Sequence, residues 1–169
     1  MKKKIKSTGV IFGDMHFPLH DESAFSCALK VIEKVKPDIF INLGDFAEGE
    51  YVSHWRWSRR KRPPLEYQLP LIDKEADEVN FHMDRIDKVL DKVGCKKKYL
   101  AMGNHDAWYN QFVEENPYLD QYTFRNACKW DERGYEYRKY NEVLTIGKLS
   151  FIHGAYTGNN HAKKHLDAY

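Results

Sequence analysis

Cysteine is scarce in this chain of 169 residues: Cys27, Cys95 and Cys128 are an odd number at wide spacing, with no CxxC pair. That argues against a disulfide framework and a cysteine-built zinc site, and it predicts a reducing, cytoplasmic setting. Long apolar runs are missing as well. No stretch approaches the roughly 18 apolar residues of a membrane span, and no signal-peptide-length segment follows Met1-Lys2-Lys3-Lys4-Ile5-Lys6. Neither secretion nor a membrane partner is expected, and the lysines at 2, 3, 4 and 6 read as a solubilising start to the first strand. Nor is there a marked excess of charge. The 27 Lys and Arg stand against 25 Asp and Glu, a formal +2, so attraction to nucleic acid must come from local clustering. Repeats and low-complexity segments are also absent.

What is present is core material. Hydrophobic residues make up 42% and aromatics 14%, which excludes intrinsic disorder, and the length suits one domain over residues 1–169. Thr8 to Phe12 reads as a buried strand ending at Gly13-Asp14. Asp21 can cap a helix with Phe25, Ala28, Leu29 and Ile32 on one face, stopped at Pro37. Ile39 to Leu43 is a second strand ending at Gly44-Asp45, so the chain opens with a βαβ unit and a parallel sheet. From Ile72, the positions Ala76, Val79, Met83, Ile86, Leu90 and Val93 predict a long amphipathic helix closed by Gly94. Tyr99 to Met102 is a third strand, breaking at Gly103-Asn104. Residues 107–130 predict helix in two pieces interrupted at Asn116-Pro117. Val143–Ile146 and Leu149–Ile152 flank Gly147-Lys148 as a hairpin, the second strand ending at His153-Gly154. A last helix is expected over 160–168.

Four strands thus end in polar segments of metal-ligand type: Asp14-Met15-His16, Gly44-Asp45-Phe46-Ala47-Glu48, Gly103-Asn104-His105-Asp106 and His153-Gly154. In open α/β sheets the carboxyl ends of strands converge on ligand sites. Any one of these segments alone would be an ordinary turn or helix cap. Together they offer the mixed oxygen and nitrogen donors that Mn²⁺, Fe or Zn²⁺ accept, with no thiolate for a soft metal.

These motifs resemble the calcineurin-like metallophosphoesterases, whose pattern runs D-x-H, G-D-x-x-[DE], G-N-H-[DE], H-G and a final G-H-x-H. The likeness spans essentially the whole chain and is greatest to small bacteriophage and bacterial phosphatases and DNA-repair exonucleases. It implies an α/β fold, a β-sandwich flanked by helices, and a hydrolase that opens phosphoesters with metal-activated water. By that resemblance Asp14 and His16 hold one metal, Asn104 and His153 the other, and Asp45 bridges them. His105 acts on the phosphate as the catalytic residue with Asp106 orienting it, and Glu48 is a supporting acid. Two divalent ions are implied, Mn²⁺ first, with Fe, Zn²⁺, Ni²⁺ or Mg²⁺ as alternatives. The G-H-x-H motif has no counterpart. His161 and His165 follow His153, four apart, and read as a solvated helical face. The expectation is therefore a domain lacking its last strands, with low metal occupancy and self-association through an exposed sheet edge.

The substrate signal is His54-Trp55-Arg56-Trp57-Ser58-Arg59-Arg60-Lys61-Arg62. Indoles that stack bases, interleaved with cations that meet phosphates, suit a DNA or RNA contact through Trp55, Arg56, Trp57, Arg59, Arg60, Lys61 and Arg62. The plainer alternative is a solvated basic loop with its tryptophans in the core. A phosphomonoester is the other substrate expectation, and a catalytically impaired module that only binds nucleic acid is the other function. The compartment expected is the cytoplasm, the host's if phage-encoded. His20 and His82 read as isolated structural or surface histidines.

Overall fold

In the computed structural model, residues 7–154, 156 and 158–168 are described; the lysines at 2, 3, 4 and 6 lie outside the described residues. The first strand, β1 (Gly9–Phe12), leads through a loop to α1 (Glu22–Val35) and back to β2 (Ile39–Asn42). Asp21 caps α1 by accepting a bond from the Ala24 amide at 2.8 Å, and Lys36, at φ 50°, turns back onto Ile32 before Pro37. β2 lies parallel to β1, with Val10 opposite Phe40, and β3 (Lys97–Ala101) lies parallel to β2, with Ile41 opposite Tyr99.

A fourth parallel strand, β4 (Tyr135–Arg138), completes the order β1-β2-β3-β4 and had no place in the sequence reading. Asp87 explains how it is held. Its carboxylate accepts from Lys98 Nζ at 3.1 Å, Arg133 Nη1 at 2.7 Å and the Tyr135 hydroxyl at 3.0 Å. These bonds tie β3 and β4 to α3 (Leu65–Val93). That helix buries Ile72, Ala76, Val79, Met83, Ile86 and Leu90 at alternating steps of three and four, and Gly94 ends it at φ 73°. It begins at Leu65, earlier than its apolar pattern. Pro70 leaves the Glu66 carbonyl without its helical donor, while Gln68 fastens the first turns to the Tyr51 carbonyl at 2.6 Å.

Two expectations for residues 103–130 are corrected. The helix α4 (Asn104–Glu115) starts inside the Asn-His-Asp motif instead of after it, and the second piece is a 3-10 turn at Asp120–Tyr122 followed by the single turn α5 (Phe124–Ala127). The core lies on the side of the sheet covered by α1 and α3, centred on Phe17, Phe40, Phe46, Ile32, Met83 and Leu100. On the other side a hairpin of β5 (Leu144–Ile146) and β6 (Leu149–Phe151) shares a groove of about 260 Å³ with Ile11, Ile39 and Ile41. The fold is mixed α/β, a parallel sheet flanked by helices, and the second layer of the expected sandwich is this two-stranded ribbon. A final helix, α6 (His161–Ala168), follows. Among the described residues no helix is long and apolar enough to cross a membrane.

His20 and His82 are not isolated. Their rings sit 4.2 Å apart, and His82 stacks on Phe17 at 4.3 Å with the planes 4° apart. Burial, with His20 and the Arg85 guanidinium beside it, pushes the His82 imidazole down to about 4. A histidine depressed on folding takes up its proton first in the unfolded chain, so its share of stability is present above pH 6.5 and is lost as the pH falls toward 4. Between pH 7 and 4.5, His82→Phe should lose less melting temperature than wild type by about 4–8 °C, on the order of 2 kcal/mol at this size. Thermal unfolding at the two pH values checks it.

Candidate metal centre

The loops after β1 and β2 zip together along their backbones. Asp14 N donates to Gly44 O at 3.0 Å, His16 N to Asp45 O at 2.9 Å and Phe17 N to Phe46 O at 2.8 Å. Asp14, His16 and Asp45 all take positive φ, at 53°, 48° and 48°. A non-glycine residue there costs about 1–2 kcal/mol, and such strain gathers where side chains must be aimed for function. The close approach of β2 to β3 depends on two glycines. A Cβ on Gly44 would collide with the backbone of Gly103, and one on Gly103 would collide with Asp45 at both its amide and Oδ1. Gly103→Ala should therefore destabilise by about 1–3 kcal/mol and displace the Asp45 carboxylate. Urea unfolding reads the first effect and Mn²⁺ titration the second.

Asp45 is the hub. It is buried, 4% exposed, with Oδ1 accepting from the His105 amide at 2.9 Å at the N-terminus of α4. Its Oδ2 lies 3.3 Å from His153 Nε2 and 3.8 Å from His16 Nε2. Burial works against the Asp45 charge, but the bonds from His153 and the His105 amide outweigh it and hold the carboxyl below its usual range. The His153 imidazole is likewise opposed by burial, yet Asp45 and the Leu43 carbonyl push it up to about 9.

The histidine rings are fixed from behind. His153 Nδ1 donates to Leu43 O at 2.6 Å and His105 Nδ1 to Glu48 O at 2.6 Å, while His16 Nδ1 meets the Glu48 carboxylate at 2.9 Å. A carbonyl or carboxylate oxygen can only accept, so each Nδ1 carries a proton and each Nε2 is left to face the centre. Two donor groups result, His16 with Asp45 and His105, and Asp14 with Asp45 and His153, each within 4.8 Å. Both contain Asp45. Oxygen and imidazole donors around a shared buried carboxylate fit a pair of divalent cations.

A family model for calcineurin-like phosphoesterases matches residues 10–168. The chain belongs to that family. The match takes in all four segments that carry the candidate ligands, and the family implies a hydrolase that opens phosphoesters with divalent metal. No curated protein and no solved structure gives a significant match.

The remaining expected site residues fall in several places. Asn104 opens α4 beside the hub. Asp106 does not orient His105, because its oxygens are committed elsewhere. Fully buried, it accepts from the amides of Phe46 at 3.0 Å, Ala47 at 3.3 Å and Gly103 at 2.9 Å, and burial pushes its carboxyl up to about 6. It pins the β2 loop to the start of α4, and the Glu48 carbonyl does the orienting. The sequence reading also missed Trp108, whose ring lies 3.9 Å from that of His105 at 35°. The signal available was its place three residues on, one helical turn along the same face.

The basic segment begins as α2 (His54–Trp57), a single turn close behind Gly49, the residue packed against His105 and Trp108. Trp55 is 65% exposed instead of anchored in the core. Arg56 pairs with Glu50 and lies over the rings of Tyr51 and Trp57. Arg62 pairs with Glu115 at the far end of α4, at 2.6 Å. Arg59, Arg60 and Lys61 between them are exposed and make no ion pair among the described residues.

Proposed function

We propose that the chain hydrolyses phosphodiester bonds of single-stranded nucleic acid at a two-cation centre bridged by Asp45. The observation that carries this reading is the sharing of one buried carboxylate by two donor groups. The family pattern gives Asp14 and His16 to one cation and Asn104 and His153 to the other, whereas the donor groups of this structure set Asp14 with His153 and His16 with His105 around the shared Asp45. When bound, the cations supply an activated water and offset the charge of the phosphoryl oxygens. Mn²⁺, Fe or Zn²⁺ suit these mixed donors, and Mn²⁺ is the ion proposed. Glu48 fixes His16 by its carboxylate and His105 by its carbonyl, so one residue sets the angle of two rings. With Nδ1 tied down and Trp108 and His16 against its faces and edge, His105 would present Nε2 to the leaving oxygen, and in its doubly protonated form it would give that oxygen the Nε2 proton and keep the one on Nδ1. Asp106 holds the loops that carry these groups.

The 54–62 segment supports nucleic acid as the substrate class. It runs from the back of His105 to the end of α4, offering one exposed indole and a row of cations with no ion pair among the described residues. Replacing Arg59, Arg60 and Lys61 with serine leaves the Arg56 and Arg62 ion pairs in place. With each phosphate contact on a single strand contributing about 0.7 to the salt slope, the slope should fall by about two, with little change toward a small chromogenic diester. Fluorescence anisotropy of a labelled oligonucleotide across salt, alongside Mn²⁺-dependent cleavage after chelation, tests both halves. Unchanged oligonucleotide affinity would remove nucleic acid from the reading, and binding without any Mn²⁺-dependent cleavage would remove catalysis.

A further inference from the structure

A second cluster of ligand-type side chains lies outside the Asp45 centre and shares no residue with it. His20 comes from the loop between β1 and α1, Glu22 opens α1 and His82 lies in α3, yet one donor atom of each falls within 4.8 Å of the others. Phe17 covers the His82 face, and Phe25 stands edge-on to both imidazoles at 5.5 Å. The two imidazoles are thus gathered against an apolar wall, with the exposed Glu22 carboxylate at their edge.

The contacts show that this place already holds a cation. Arg85 sets its two terminal nitrogens on the Glu22 carboxylate at 2.8 and 2.5 Å, and Nη1 also lies 3.2 Å from His82 Nδ1. A guanidinium only donates, so that Nδ1 is a bare lone-pair nitrogen. His20 offers a second one. Its Nε2 faces Glu22 Oε2 at 3.2 Å and so carries the proton, which leaves Nδ1 bare, buried and with no hydrogen-bond partner. A buried polar atom left unpaired in this way is the kind that an ion or ordered water accounts for.

We propose that His20, Glu22 and His82 form a second transition-metal site, for a borderline cation such as Zn²⁺, which displaces the Arg85 guanidinium from the cluster. Two imidazoles and one carboxylate favour Zn²⁺, Co²⁺ or Ni²⁺ over Mg²⁺ or Ca²⁺. Because the three donors sit on three segments, a bound ion staples the loop that carries Asp14 and His16 onto α1 and α3. The site is therefore structural, and it stands whether or not Asp45 bridges a metal pair.

Zinc bound per chain after equilibrium dialysis tests this, with the visible spectrum of Co²⁺ as a second reading. Wild type should bind one equivalent more than His82→Phe, which keeps the stack on Phe17, and one more than Glu22→Gln, whose change is at an exposed position. Arg85→Met removes the competing charge and should bind that equivalent about tenfold more tightly. Mn²⁺-supported hydrolysis by His82→Phe should match wild type, which shows that the fold and the Asp45 centre persist. Equal zinc content in wild type, Glu22→Gln and His82→Phe would overturn the site. No gain in Arg85→Met would overturn displacement of the guanidinium.

Discussion

Asp45→Ala is expected to lose both cations and, with them, all metal-dependent turnover. The carboxylate belongs to both donor groups, so no single other residue reaches as far. Even the loss of a supporting group typically weakens metal binding by about 10–100-fold, and loss of the shared ligand should exceed that range. The substitution has a second consequence, since Oδ1 also receives the His105 amide and Oδ2 faces His153. Asp45→Asn separates the two effects. Its side-chain carbonyl can still accept from His105 while its charge is gone, so metal should be lost with the loop conformation kept. Calorimetric Mn²⁺ titration of both variants, beside far-UV circular dichroism, decides between a ligand role and a merely structural one.

The second large effect belongs to His105. His105→Ala should keep its metal and lose about 10²–10⁴-fold in kcat, the range that general acid catalysis contributes. The loss should depend on the leaving group. A nitrophenolate departs without needing a proton, whereas a nucleoside alkoxide needs one, so the variant should be impaired far more on an oligonucleotide than on a chromogenic ester. An equal loss on both, together with reduced Mn²⁺ content, would instead make His105 a ligand, a role its place beside His16 and Asp45 also permits.

The candidate residues were legible because their signals are local. Asp14-Met15-His16 and Gly44-Asp45 each sit at the end of an apolar run that the sequence marks as a strand, and the parallel sheet brings those ends together, while His153 follows β6 of the antiparallel ribbon and reaches them through its bond to the Leu43 carbonyl. The parts that escaped depend on long-range contacts. Asn104, His105 and Asp106 are poor helix formers, and α4 starts among them because Asp106 finds its bonds on Phe46, Ala47 and Gly103. The same bonds take Asp106 away from His105, which a motif cannot show. β4 did carry a signal, the alternation Tyr135-Glu136-Tyr137-Arg138, but its pairing is fixed by Asp87 on a distant helix. The cluster of His20 and His82 likewise joins residues that no spacing rule relates.

The electron paramagnetic resonance spectrum of the Mn²⁺-loaded chain tests the central claim most directly, because it senses whether two ions share a ligand and needs no substrate. Binding two equivalents with the broadened signal of a spin-coupled pair, lost in Asp45→Asn, is the predicted result. A single equivalent with the sharp six-line pattern of an isolated ion, unchanged in Asp45→Asn, would contradict it.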